Sequence, residues 1–223
     1  LRANDLEGAE HAYNKALAED PHYAPAIYGK GWALTVSGFD ELEDTARQLF
    51  ERSIDYDPDF FGGYRGRGVL LLKAGNLQAA ETFLRQAYER APENATVVES
   101  MGQLYLRAGH LAPAKQAFSE AVRLAPERGE LRRFLADVAL AEDDFDGALD
   151  QLAQARAGSV SGKRGLYLIE EGEVYVHCAA ARAMLDGRFL VQSSSRPSLT
   201  EALAAAESAL GRIEALGLSL IHI

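Results

Sequence analysis

Apolar residues recur at helical rather than strand spacing along most of this chain. In TVVESMGQLYLRAG, Val98, Met101, Leu104 and Tyr105 fall on one stripe. In LAPAKQAFSEAVRLAP, Ala114, Phe118, Ala121 and Val122 do the same. Intervals of three and four residues put such positions on one face of an α-helix, with polar residues on the other. The two stripes are separated by Gly109 and closed by Pro126. Glycine tolerates the reversed backbone of a helix end, and proline cannot continue a hydrogen-bonded turn. The pattern therefore predicts a helix pair, here called A and B.

That pair repeats. Ala80, Leu84, Ala87 and Pro92 have the spacing Ala-x3-apolar-x2-Ala-x4-Pro. The same spacing returns at Ala114, Phe118, Ala121 and Pro126, at Ala46, Phe50, Ser53 and Pro58, and at Ala9, Tyr13, Ala16 and Pro21. It returns again at Ala148, Leu152 and Ala155, with Val160 in the proline place. Ala46, Ala80, Ala114 and Ala148 stand 34 residues apart. A second signature, Gly68-x2-Leu71, Gly102-x2-Tyr105 and Ala136-x2-Ala139, lies twelve residues before each of the later three. Gly31-x2-Leu34 precedes Ala46 by fifteen, which places three additional residues in SGFDELEDTA. One helix pair cannot bury its own apolar face, whereas stacked neighbours can.

The period and its Gly-x2-Tyr, Ala-x3-Phe and Pro places resemble the tetratricopeptide repeat family. The resemblance covers residues 1 to about 160 well and 163–217 loosely. It implies an all-α fold, a right-handed α-solenoid of antiparallel helix pairs. The expected organisation is a partial first repeat with helix B alone (1–23), then repeats at 24–60, 61–94, 95–128 and 129–162. A degenerate helical pair follows (163–217), and then a tail (218–223). In the tail, LSLIHI resembles a translated sequencing adapter. Leu1 falls between the two helices of the first repeat, so the sequence is expected to be a fragment.

Within this frame FFGGYRGRG opens helix A of the 61–94 repeat, from about Phe61 to Lys73. Gly68 fills the small-residue place against helix B, and Tyr64 reaches the neighbouring core. A phosphate-binding loop would need a preceding strand and a following Lys-Ser or Lys-Thr. Gly62, Gly63 and Gly66 are surplus, each costing about 1 kcal/mol relative to Ala in a helix. They mark either a loosely wound helix start or a place where missing side chains admit a ligand backbone.

The resemblance further implies a concave surface lined by A helices, where partners bind as peptides or helices. The groove-facing set is then Tyr28, Trp32 and Val36; Arg65, Val69, Leu72 and Lys73; Glu99, Gln103, Leu106 and Arg107; and Arg133, Asp137 and Leu140. Of these, Tyr28, Trp32, Arg65, Val69, Leu72, Glu99, Gln103, Arg133 and Asp137 are the candidate partner-binding residues. Trp and Arg are enriched at binding hot spots, and Trp32 is the sole tryptophan. Trp32 packing against the N-terminal repeat is the competing reading. The Lys and Asn set by which some members of the family hold a chaperone's C-terminal carboxylate is absent. Tyr28, Trp32, Gly66, Thr96 and Ser100 stand in those places.

Composition narrows the function. The net charge of −10 disfavours nucleic acid, whose phosphates need several Lys or Arg. Hydrophobic residues at 48% suffice for a core, and no run is long enough to cross a bilayer. Cys178 is the only cysteine, so an internal disulfide is impossible. None of the five histidines pairs at helical metal-site spacing. AEDDFDGALD lacks calcium-loop spacing and is expected to be a turn, with Asp144 or Asp146 capping the next helix. Ser198-x2-Glu201 reads as a capping box opening the final helix. No catalytic residues, metal site or cofactor are expected. The function expected is a non-catalytic, protein- or peptide-binding scaffold, with Ala, Arg and Leu usage compatible with a bacterial source. The alternatives are a regulatory or recruiting arm of a larger enzyme, such as a kinase or glycosyltransferase, or a subunit of a bacterial envelope assembly.

Overall fold

A computed structural model describes residues 3–37, 39–157, 162–185 and 199–215. All regular structure among them is helical, and it divides into two compact units, Leu1–His110 and Leu111–Ile223. LSLIHI, FLVQSSSRP and Ser198 of the expected capping box lie outside the described residues.

The first unit contains α1 (Ala3–Glu19), α2 (Ala24–Ser37), α3 (Glu43–Tyr56), α4 (Phe61–Lys73), α5 (Leu77–Arg90) and α6 (Ala95–Arg107). A 3₁₀ turn at Asp40–Leu42 accommodates the insertion before α3. Each helix packs on the next, and α4 also packs on both α2 and α6. The A helices α2, α4 and α6 thus lie side by side, with α1, α3 and α5 as the B layer.

Glycines set how closely these layers approach. A Cβ at Gly31 would lie 2.8 Å from the Phe50 ring of α3, and one at Gly68 would lie 2.6 Å from the Leu84 side chain of α5. The surplus glycines act in the same way. A Cβ at Gly66 would meet the Phe50 ring at 2.5 Å, and one at Gly63 would meet Ile54 Cγ1 at 2.7 Å and the Phe50 carbonyl oxygen at 2.9 Å. A Cβ at Gly62 would lie 3.0 Å from the Tyr28 ring. All three are buried. Neither expectation for them holds: the helix is regular from Phe61, and Tyr28, Phe50, Phe60 and Ile54 of this chain fill the space a ligand backbone would need. The propensity cost is offset by burial of Phe50, fully inaccessible to solvent, with Ala46 and Leu70.

Tyr64 packs with Ala87 and Val97, joining α4, α5 and α6. Leu72, Ala80, Leu84, Met101 and Leu104 form a further core. Ser53 occupies the second small-residue place of its repeat, and its buried hydroxyl donates to the Ala24 carbonyl at 3.1 Å.

The second unit contains α7 (Leu111–Leu124), α8 (Leu131–Ala141), α9 (Phe145–Ala157), α10 (Gly162–Leu185) and α11 (Leu199–Ala215). Chain neighbours pack, and α8 also packs on α10. Its core joins Ala136, Ala139, Ala148, Leu152, Ala155, Ile169 and Val176. Buried Glu170 and Glu173 of α10 pair with Arg156 of α9 and Arg212 of α11, so an ionic cluster ties three helices.

The A-to-B turns repeat in detail. Gly75, Gly109 and Asp143 have φ of 76°, 76° and 57°. The following amide donates to the carbonyl five residues back in each case: Asn76 to Leu71, His110 to Tyr105 and Asp144 to Ala139, at 2.8 to 2.9 Å. This is the left-handed helix stop that glycine favours. Asp144 then caps α9 by accepting from the Gly147 amide at 3.0 Å.

Candidate functional site

Two rows of side chains on the A helices carry the candidate residues. Tyr28, Arg65 and Glu99 each stand three residues before the small residue of their repeat, Gly31, Gly68 and Gly102. Trp32, Val69 and Gln103 stand one helical turn further on, so each pair shares a face.

The first row centres on Arg65, which is 6% exposed, with Tyr28 half-buried beside it. Its Nε donates to the Thr96 carbonyl at 2.9 Å and to Ser100 Oγ at 3.1 Å, both on α6. Its Nη1 donates to the Tyr28 hydroxyl of α2 at 2.7 Å. Its guanidinium lies 4.1 Å from the Trp32 ring centroid. One side chain on α4 therefore holds both flanking A helices. Burial raises the Tyr28 phenol above its ordinary value, Arg65 opposes this, and Glu99 adds to it. Tyr28 also meets Phe50 and Phe60, each at 5.7 Å between ring centroids.

The second row is more open. Trp32 is half-buried and stacks on Tyr28, at 6.1 Å and 28° between planes. Val69 is half-buried beside it in register. Gln103 is half-buried, and its amide donates to Glu99 Oε1 at 3.3 Å. Glu99 itself is buried. Leu72 is 3% exposed in the core beside Leu84 and Met101, a correction to its expected place on the groove surface. Its register next to Leu71 brings it onto the α5 and α6 side, where apolar burial wins.

In the second unit Arg133 and Asp137 of α8 occupy the same two rows. Arg133 Nη2 lies 3.7 Å from Glu171 Oε2 of α10. Burial pushes the Asp137 carboxyl up, Arg133 opposes this and Glu171 adds to it. Three residues here, Glu171, Gly172 and Tyr175, were missed by sequence. A Cβ at Gly172 would lie 3.0 Å from Leu152 Cδ2. Gly172 thus meets the preceding B helix as Gly66 meets Phe50. Glu171 then corresponds to Arg65, and Tyr175, one turn on, to Trp32. Tyr175 is 67% exposed, more than any other large hydrophobic residue among those described. Gly172 follows Ala148 by 24 residues, whereas Gly66 follows Ala46 by 20, and this offset hid the register; Gly172 was the signal that would have recovered it.

Among the described residues, no three His, Cys, Asp or Glu gather as around a metal ion, and no helix is long and apolar enough to cross a membrane.

Tetratricopeptide repeat models match residues 44–95 and 100–161, and a second such model matches 71–127. No curated protein matches the chain. Solved structures do. A thermophilic TPR protein of Thermus thermophilus superposes with a TM-score of 0.63 at 22% identity, covering 78% of this chain and 90% of that one. Pseudomonas aeruginosa PilF gives 0.58 at 20%, covering 97% and 86%. YrrB, a TPR protein with an unusual peptide-binding site, gives 0.54 at 18%, covering 92% and 95%. At these identities the likeness is one of fold, the all-α tetratricopeptide solenoid.

Proposed function

The chain belongs to the tetratricopeptide repeat family, and from that premise we propose that it is a non-catalytic scaffold whose A-helix faces hold a peptide or protein partner. The fold is one of protein–protein interaction. The face of the first unit supports the finer reading through one observation: Trp32 is half-buried, partly open, and fixed from beneath by a buried arginine. A rigid aromatic side chain offers large contact area at small entropic cost on binding. Val69 and Gln103 extend this face with an apolar and an amide contact, and Arg65, Tyr28 and Glu99 support it from below. In the second unit Arg133 and Asp137, with Tyr175, form the corresponding face. A peptide partner is in keeping with the peptide-binding site described for YrrB.

The test is selection of displayed peptides on the wild-type protein, followed by affinity measurement on Trp32→Ala and Gln103→Ala. We expect Trp32→Ala to lose roughly 30-fold, a hot-spot loss of about 2 kcal/mol, with helical circular dichroism retained. Gln103→Ala should lose less. Peptides that bind Trp32→Ala as tightly as wild type would sink this face as the site.

A further inference from the structure

Trp32 is placed by contacts that its own helix does not supply. The guanidinium 4.1 Å from its ring belongs to α4. That guanidinium is oriented by the Tyr28 hydroxyl of α2 and by Thr96 and Ser100 of α6. An arginine fork held at Nε and Nη1 by separate helices has no freedom to swing away. It is nearly inaccessible to solvent, so a partner reaches Trp32 and not Arg65.

We infer that Arg65 is the positioning residue of the partner site. It fixes the Trp32 ring as a preorganised platform for an apolar anchor residue of a bound peptide, and the platform forms only while α2, α4 and α6 are stacked. This inference deepens the proposed face and rests on it. Its physical core is a charged plane over an aromatic face, worth more when desolvated than in water. Without it Trp32 keeps its stack on Tyr28 but loses the contact that selects one orientation. Ordering the ring on binding then becomes a cost to affinity.

Trp32 is the only tryptophan, so its fluorescence reports this side chain without a label. Arg65→Lys retains the charge and loses the fork. Tyr28→Phe retains the ring and removes the hydroxyl that accepts from Nη1; it serves as the milder variant should Arg65→Lys fail to fold. In folded protein with unchanged circular dichroism, both variants should shift the Trp32 emission and raise its quenching by acrylamide, Arg65→Lys more than Tyr28→Phe. Peptides selected on wild type through Trp32 should bind Arg65→Lys ~10-fold more weakly, the loss of one anchoring interaction. Unchanged emission and quenching in a folded variant would overturn the positioning role, as would undiminished affinity for Trp32-dependent peptides. If selection yields no Trp32-dependent peptide, the proposed face fails, while the fluorescence measurements still decide whether Arg65 places the ring.

Discussion

The two units use the same repeat position for different ends. In the first, Arg65 is buried beneath Tyr28 and Trp32 and hydrogen-bonds to two neighbouring A helices. In the second, Arg133 is partly exposed, makes a loose 3.7 Å pair with Glu171, and among the described residues has no aromatic ring over it. The difference lies in the residue that follows. Gly66, next to Arg65, lets α4 close onto the Phe50 ring. Phe134, next to Arg133, stacks on Phe118 with ring centroids 5.0 Å apart. Beside Gly66 the donors of the arginine reach acceptors on both neighbouring helices, whereas Arg133, beside Phe134, keeps a buried Nε without a hydrogen-bond partner among the described residues. The worth of a charged group is thus decided by the small or large residue beside it.

Truncating the two arginines should separate the units most strongly. Arg65→Met leaves the Tyr28 hydroxyl and the Ser100 and Thr96 oxygens without their charged donor, and should cost about 3 kcal/mol by denaturant unfolding. Arg133→Met should cost about 1 kcal/mol or less, as partly exposed pairs do. Equal losses would remove the distinction. The glycines provide a second contrast. Gly66→Ala meets a ring enclosed on all sides, and strain should exceed the propensity gain, for a net loss of about 1–2 kcal/mol. Gly172→Ala meets the equally buried Leu152 side chain less closely, at 3.0 Å, so by the same unfolding measurement it should lose less than Gly66→Ala, about 0.5 kcal/mol or below.

The turns allow a smaller test. Gly109→Ala strains a left-handed residue and should destabilise by about 1 kcal/mol, whereas Asp143→Gly removes such strain and should stabilise by about 0.5 kcal/mol. The smallest effect is electrostatic. Asp137 has a folded-state pKa raised by burial, so ionisation opposes folding. Its favourable contribution is fully present below the ordinary aspartate value and is lost as pH rises through the raised one. Asp137→Asn should therefore raise the thermal midpoint at neutral pH, and this gain should vanish in acid. A gain independent of pH would point to packing instead.

Much of this organisation is written in the chain. A 34-residue period, small residues at Ala80 and Gly68, and stop signals at Gly75 and Gly109 are local properties, and local physics suffices to set helix pairs and their ends. The helix expected from about Phe61 to Lys73 is found at Phe61–Lys73 for that reason. The site was legible only as a list of rows. Which members are buried depends on side chains brought in from other helices. Phe50 fills the space above Gly66, Leu72 turns into a core of three helices, and Arg65 finds acceptors 31 to 37 residues away along the chain. The sequence by itself determined the repeat, because helix periodicity and chain reversal need only neighbouring residues. The tertiary structure alone decided that Arg65 supports the face while Trp32 presents it, because burial and hydrogen-bond partnership are properties of what packs against a residue.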